Sequence, residues 1–143
     1  MPRVPVSSAL GRWFLRNAMT LFAREKQHDG VRIEKHMTTE GVALRVYMPT
    51  SGQIGAALLW IHGGGMLIGS AMQDDGFCAD TARKLGIVVI STDYRLAPEF
   101  PFPAALDDCY AAWTWVQSSA QRLNIDKTRV AIGGQSAGGG LAA

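Results

Sequence analysis

The sequence has few cysteines and almost no net charge. Its 143 residues include two cysteines, Cys78 and Cys109, and neither lies in a CxxC motif or a Cys/His cluster. This usage argues against a zinc site and a disulfide framework, so we expect two buried thiols. Fourteen basic and twelve acidic residues leave a net charge of +2. Such a weak field argues against a nucleic-acid partner.

The sequence also lacks a long apolar run. No stretch of about 18 apolar residues is present, so no transmembrane helix is predicted. The apolar N-terminal stretch is interrupted by Arg12 and Arg16, which is atypical of a signal peptide. With 48% hydrophobic and 18% charged residues, the chain can bury one apolar core and is not disordered. We expect a soluble, cytoplasmic protein with no stable membrane insertion.

The N-terminal region predicts one helix and two strands. Apolar residues at helical spacing, Leu10 and Phe14 among them, predict an amphipathic helix from Ser8 to Arg24. We expect this helix to pack on its own domain through that apolar face rather than on a membrane. A half-buried strand is predicted over Val42–Met48, and a weaker alternation over Val31–Met37 predicts a strand that pairs with it.

Strands and helices alternate through the rest of the chain. Continuous apolar runs predict buried strands at Ala56–Ile61 and Ile87–Ile90, with a helix over Asp74–Leu85 between them. A second helix over Ala104–Ser118 and a short strand at Val130–Ile132 follow. The apolar side chains that mark the second helix are Leu106, Tyr110, Trp113 and Val116. This order predicts a parallel α/β sheet with right-handed crossovers.

A serine flanked by glycines follows the last predicted strand. The segment Gly134-Gln135-Ser136-Ala137-Gly138 fits G-x-S-x-G, the strand-to-helix turn that presents a nucleophilic serine. A strained backbone at the serine leaves little room for side chains two positions away, which explains the glycines. The pattern is weak by itself in a chain with 16 glycines. A buried strand before it and a small-residue helix after it supply the context that the motif requires.

A second glycine-rich segment, His62-Gly63-Gly64-Gly65, follows the strand that ends at Ile61. Such a loop exposes several backbone N–H groups, which can stabilise the negative oxygen that develops when a serine attacks an ester. The N–H of the residue after the serine is the usual third donor. The two segments together predict an oxyanion hole.

Three blocks of this sequence resemble the hormone-sensitive-lipase-like (family IV) branch of the α/β-hydrolase esterases. The blocks are His62–Gly65, Asp93–Asp108 and Gly134–Gly139, in the order found in that family. The resemblance implies the α/β-hydrolase fold, with a mostly parallel sheet, helices on both faces and an N-terminal helical cap. It divides the chain into a cap helix and lead-in, residues 1–40, and the N-terminal part of the hydrolase core, residues 41–143.

The resemblance also implies a site and a reaction. The implied site consists of the nucleophile Ser136, the oxyanion donors Gly63, Gly64 and Ala137, and the supporting residues His62 and Gly65. The implied reaction is hydrolysis of short to medium acyl esters through an acyl-enzyme, without a metal or organic cofactor. Gln135 stands where the family usually has an aspartate, and we expect this to change local polarity but not the reaction class.

The sequence offers no general base for Ser136. Its three histidines, His28, His36 and His62, all precede the serine, whereas α/β-hydrolases follow the order Ser, acid, His. A base at His62 would occupy the space of the substrate carbonyl, and the other two are interpreted as solvated. We therefore expect an N-terminal portion of a longer hydrolase whose C-terminal segment, beyond residue 143, carries the acid and the histidine. The 143 residues by themselves should be inactive.

Two other functions stay open. A hydrolase fold without its histidine can act as a non-catalytic ligand-binding protein. Gly138–Ala143 matches the dinucleotide fingerprint G-x-G-x-x-A, although its first glycine lies six residues beyond Ile132 instead of at the strand-to-helix turn. The carboxylates of Asp93–Asp108 are interpreted as scaffold. Arg95 and Glu99 are expected to brace this connection near His62–Gly65, which we call the oxyanion loop.

Overall fold

A mixed five-stranded sheet organises residues 8–22 and 28–143, the part of the chain that the computed structural model describes. The strands are β1 (Val31–Met37), β2 (Ala43–Pro49), β3 (Ala57–Ile61), β4 (Val88–Asp93) and β5 (Val130–Gly134). Their order in the sheet is β1-β2-β4-β3-β5. Strands β4, β3 and β5 are parallel, while β2 pairs antiparallel with β4 and with β1. The predicted α/β architecture is confirmed, with an antiparallel hairpin at one edge.

Helices cover both faces of the sheet. They are α1 (Ala9–Phe22), α2 (Asp75–Leu85), α3 (Ala104–Ser119) and α4 (Ala137–Ala142), with 3-10 turns at Ala71–Asp74 and Lys127–Arg129. Helix α2 packs on one face, and α3 and α4 pack on the other. Strands β4 and β5 extend beyond their predicted ends because pairing with β3 continues after the apolar runs stop. Residues 23 and 24, predicted as helical, lie outside the described residues.

Alternate residues of β2 and β3 supply two apolar layers. Leu44 and Leu59 belong to the layer beneath α3, and Tyr47 belongs to the layer beneath α2. Cys78 and Cys109 are buried free thiols, as predicted. Burial raises the pKa of both, so each remains protonated and inert at neutral pH.

The prediction of a half-buried β2 is wrong, because α2 covers its second face. Arg45 and Tyr47 on that face are both buried. The Arg45 guanidinium donates to the two carboxylate oxygens of Asp75, each at 2.8 Å, and the Tyr47 hydroxyl donates to the same carboxylate. Burial raises the pKa of Tyr47, which keeps the phenol protonated as a donor. These bonds fix α2 on the sheet and satisfy the buried charges.

The apolar face predicted for helix α3 is buried in the second half of the helix only. Val116 is fully buried, as predicted. The prediction is wrong for Leu106 and Tyr110, which are 44% and 71% exposed. In the first half of the helix the buried side carries Asp108, whose carboxylate binds the Arg95 guanidinium at 2.7 Å.

Helix α1 contacts the domain through arginines. The expectation that Leu10 and Phe14 pack inward is wrong, since they are 77% and 59% exposed. Arg12 and Arg16 approach the Glu99 carboxylate at 3.8 and 3.0 Å. The division of the chain at residue 40 stays a prediction, and β1 shares the sheet of β2.

Replacing Asp75 with alanine should destabilise the protein by about 3 kcal/mol, because it removes the carboxylate that balances a buried guanidinium. Denaturant unfolding measures the loss. Asp80→Ala on the same helix is the matched control, since Asp80 pairs with Arg83 and Lys84 at exposed positions and should contribute little. Equal losses in the two variants would contradict the role given to Asp75.

Candidate active site

Ser136 lies at the sharp turn between β5 and α4. Its backbone has φ 52° and ψ −117°, a conformation that residues with a side chain rarely adopt. A Cβ on Gly134 would lie 2.4 Å from the carbonyl of Gly138, and a Cβ on Gly138 would lie 2.1 Å from the Ile61 oxygen. Only glycine fits at these two positions. The turn therefore has the geometry expected of G-x-S-x-G.

The first turn of α4 continues from this serine. Gly138 donates its N–H to the Gln135 oxygen at 2.8 Å, and Gly139 donates to the Ser136 oxygen at 3.0 Å. In the described part of the chain, the N–H of Ala137 has no acceptor. A free N–H directly after the serine is what an oxyanion donor requires.

The loop after β3 is fixed through its carbonyl groups. The Tyr94 hydroxyl donates to the His62 oxygen at 3.0 Å. The His62 ring donates from Nδ1 to the Gly63 oxygen at 2.7 Å, and the Gln73 amide approaches the same oxygen at 3.4 Å. Side chains from three separate segments of the chain therefore set the orientation of two consecutive peptide units.

The next residues form a tight turn, Gly64–Ile68, which we call the oxyanion turn. The N–H groups of Leu67 and Ile68 both donate to the Gly64 oxygen at 3.1 Å. The N–H of Ala97 donates to the Met66 oxygen at 2.8 Å and ties the turn to the segment after β4. The carbonyl of Gly64 is thus held by hydrogen bonds, like the two before it.

The bound carbonyls leave the N–H groups of this loop available. The C=O and N–H of a trans peptide unit point in opposite directions, so each tied oxygen directs the following N–H the other way. Among residues 8–22 and 28–143, none accepts a hydrogen bond from the N–H of Gly63, Gly64 or Gly65. Gly65, predicted only as a support, has the same free N–H as the two predicted donors.

The glycine loop and the serine turn lie against each other. A Cβ on Gly63 would lie 3.5 Å from the Ser136 Cβ and 3.0 Å from the Gln135 oxygen. The N–H of Gln135 donates to the Ile61 oxygen at 3.1 Å, which continues the β3–β5 pairing. The structure thus brings together the two predicted segments at the carboxyl ends of neighbouring parallel strands. Their catalytic roles stay predictions.

His62 has the environment of a supporting residue. Its ring is buried and stacks on Tyr94, with 4.2 Å between the ring centroids. Burial lowers the pKa of His62, so the imidazole is neutral at pH 7. The neutral ring donates from Nδ1 to the carbonyl of Gly63. Through this bond the His62 ring orients the peptide unit between Gly63 and Gly64.

The structure places the other histidines on different elements. His36 bonds to Glu34 at 2.9 Å on β1, and His28 lies beside Asp80 and Arg83 of α2. Neither forms a hydrogen bond with Ser136 within the described ranges.

The described residues also contain no group of three His, Cys, Asp or Glu side chains placed to hold a metal ion. No helix among them has the length and apolar content needed to span a membrane.

The structure shows how the two predicted braces hold the connection. The carboxylate of Asp108 accepts from the Arg95 guanidinium and backbone N–H, which ties the connection to α3. Glu99 binds Arg16, which also binds the Leu67 oxygen of the oxyanion turn. Both residues therefore brace the connection as predicted, Arg95 from α3 and Glu99 through Arg16.

Two supporting residues, Tyr94 and Gln73, were missed as parts of the site. Tyr94 lies inside the Asp93–Asp108 block, so its presence in the resemblance was the available signal. No sequence signal pointed to Gln73.

The position of Gly138 argues against the dinucleotide-binding alternative. Gly138 lies within α4, whereas the first glycine of the dinucleotide fingerprint should lie at the strand-to-helix turn.

Residues 58–143 match the family model described as the alpha/beta hydrolase fold. The chain belongs to the α/β-hydrolase family. The predicted resemblance to its hormone-sensitive-lipase-like branch is confirmed by relatives named as esterases. These comparisons extend the agreement from the motifs to most of the chain.

Several relatives of this α/β-hydrolase are named for ester hydrolysis. Ethyl acetate hydrolase of Pseudomonas putida is 38% identical over 136 residues, covering 92% of this chain and 43% of that protein. Carboxylic ester hydrolase LipN of Mycobacterium tuberculosis is 44% identical over 103 residues, covering 71% and 27%. The structure of a bacterial heroin esterase is 38% identical with a TM-score of 0.87, covering 99% and 47%. The chain spans less than half the length of these relatives.

Acidification should destabilise the protein through His62. Because burial lowers its pKa, the unfolded chain binds a proton that the folded chain does not, and stability falls as the pH drops below about 6.5. In His62→Asn the amide can replace the Nδ1 donor without titrating. We expect the fall in melting temperature between about pH 7.5 and about pH 5.5 to be smaller in this variant.

His36→Asn is the control for this measurement. His36 bonds to Glu34 on β1, away from the glycine loop, so its replacement leaves the surroundings of His62 unchanged and should not flatten the pH dependence. An unchanged slope in His62→Asn, or an equal flattening in His36→Asn, would show that His62 is not the group responsible.

Proposed function

We propose that this chain supplies the nucleophile and the oxyanion hole of a serine carboxylic-ester hydrolase. The observation that carries the proposal is the contact between the strained Ser136 turn and the glycine loop, where a Cβ on Gly63 would lie 3.5 Å from the Ser136 Cβ. A hydroxyl and several free N–H groups at one edge of the sheet are the components that acyl transfer requires. The names of the relatives support the same reaction class.

The proposed reaction proceeds through an acyl-enzyme. The Ser136 oxygen attacks the ester carbonyl carbon while a base takes the hydroxyl proton. The carbonyl oxygen becomes negative and accepts hydrogen bonds from the N–H groups of Gly63, Gly64 and Ala137. Collapse of this intermediate expels the alcohol, which receives the proton, and leaves an ester on Ser136. Water then attacks that ester with the same base, releasing the acid and restoring the serine.

We propose that the general base lies on a part of the hydrolase outside these 143 residues. His62 is committed to the carbonyl of Gly63, and His36 and His28 lie on β1 and beside α2. We assign the proton transfer to a histidine, oriented by an acidic residue, on a C-terminal segment of the same hydrolase. The 143-residue chain should then be inactive by itself.

The proposed substrates are small esters with short to medium acyl chains. The N-terminal helix α1, docked beside the oxyanion turn through Arg16, is proposed as part of a cap that limits the acyl chain. The proposed chemistry uses no metal or organic cofactor. A cytoplasmic location stays a prediction.

A serine-reactive fluorophosphonate probe should label the full-length protein, and Ser136→Ala should abolish the labelling. The probe reacts only with a serine whose proton can be removed and whose oxyanion is stabilised. Gel fluorescence and peptide mass mapping measure the extent and position of labelling. Ser118→Ala is the matched control, because Ser118 is exposed on α3 and its hydroxyl donates to the Trp115 carbonyl, away from the glycine loop.

The same assay separates the enzyme from a non-catalytic ligand-binding protein. Labelling that is lost in Ser136→Ala and kept in Ser118→Ala supports the hydrolase. A folded full-length protein that is not labelled, or that is labelled at another serine, would contradict the assignment of Ser136.

A further inference from the structure

Arg16 of α1 joins two loops that are distant in sequence. Its Nε donates to the Leu67 oxygen at 2.9 Å. Its Nη2 donates to the Ala97 oxygen at 2.9 Å and to the Glu99 carboxylate at 3.0 Å. A guanidinium is a rigid planar fork, so one side chain can hold these oxygens in a fixed arrangement. We call this arrangement the Arg16 clamp.

The clamp acts on the oxyanion turn directly. Leu67, whose carbonyl Arg16 binds, donates its own N–H to the Gly64 oxygen at 3.1 Å. That oxygen belongs to the peptide unit between Gly64 and Gly65, so its position sets the direction of the Gly65 N–H. Two hydrogen bonds therefore connect the guanidinium to a peptide unit of the oxyanion loop.

A second path closes the arrangement. The Ala97 carbonyl binds Arg16, and the Ala97 N–H donates to the Met66 oxygen at 2.8 Å. Arg16, the oxyanion turn and residue 97 thus form a closed ring of hydrogen bonds. A closed ring resists displacement of any one member better than a single contact does.

We propose that Arg16 is a positioning residue for ester hydrolysis, which holds the oxyanion turn in register with the serine and makes the catalytic geometry depend on the N-terminal helix. The proposal rests on the proposed function, because the turn that Arg16 holds begins at Gly64, one of the donors of the proposed oxyanion hole. None of the hydrogen bonds given above for Arg16 reaches a reacting atom.

Glu99 keeps the clamp in place at neutral pH. The hydrogen bond from Arg16 holds the pKa of the Glu99 carboxyl below its usual range, so the carboxylate is ionised near pH 7. Glu99 therefore balances the guanidinium while the two carbonyls fix its direction.

The test compares Arg16→Met with the full-length wild-type protein. Loss of the clamp should lower kcat by about tenfold or more, since a displacement of about 1 Å in an active site can cost about a hundredfold. The KM for a short acyl ester should change by less than about twofold, because oxyanion contacts strengthen in the transition state. Arg16→Lys keeps the charge without the planar fork and should recover part of the loss in kcat.

A readout other than activity is amide hydrogen exchange at Leu67 and Ile68. Exchange at both should speed up in Arg16→Met, because the turn loses an anchor. Arg83→Met is the control, since it removes an exposed arginine that pairs with Asp80 on α2. It should change neither kcat nor this exchange.

Unchanged kcat in Arg16→Met would overturn the proposal, and so would a rise in KM at constant kcat, which indicates a role in substrate binding only. Unchanged exchange at Leu67 and Ile68 would overturn it whether or not the protein hydrolyses esters. The two proposals can fail separately. If the wild-type protein hydrolyses no ester but Arg16→Met still speeds exchange at Leu67 and Ile68, the proposed function is wrong and the structural role of the Arg16 clamp is supported. Should Arg16→Met not fold, Arg16→Lys is assayed in the same two ways.

Discussion

A peptide unit has two polar groups that point in opposite directions, and in the loop after β3 one of the two is already bound. Tyr94, His62 and the turn that follows hold the carbonyls of three consecutive residues. The N–H groups of the three glycines therefore point away from these partners, and no acceptor for them lies in the described part of the chain. The candidate site depends on this constraint, because an oxyanion needs donors that are fixed before the reaction begins.

Close packing brings the serine to these donors. Strands β3 and β5 are neighbours in the sheet, so the loops that leave their carboxyl ends must share the same edge. Glycines at 134 and 138 let the serine turn approach the backbone of residues 61 and 62 more closely than any side chain would allow. Neutral, buried His62 then links the two features, since its ring orients the carbonyl of the residue that lies beside Ser136.

The local features of the fold could be predicted from the sequence. Apolar runs and glycine motifs specify strands β3, β4 and β5 and the turns that follow them, because these patterns depend on neighbours within a few residues. The contacts that it did not reveal join residues far apart in the chain. Arg16 and Leu67 are 51 positions apart, and Arg45 and Asp75 are 30 apart. Neither pair produces a pattern among neighbouring residues. The hydropathy pattern therefore predicted that Arg45 faces solvent and that α1 packs through its apolar residues.

We propose that Ser136 and the free N–H groups act on the same ester carbonyl. A crystal structure of the full-length protein inactivated by an alkyl phosphonate is the decisive measurement, because the phosphonyl oxygen takes the place of the oxyanion. We expect phosphorus bonded to the Ser136 Oγ, with the phosphonyl oxygen about 3 Å from at least two N–H groups of the glycine loop and Ala137. Phosphorus on another residue, or a phosphonyl oxygen directed away from the loop, would contradict it.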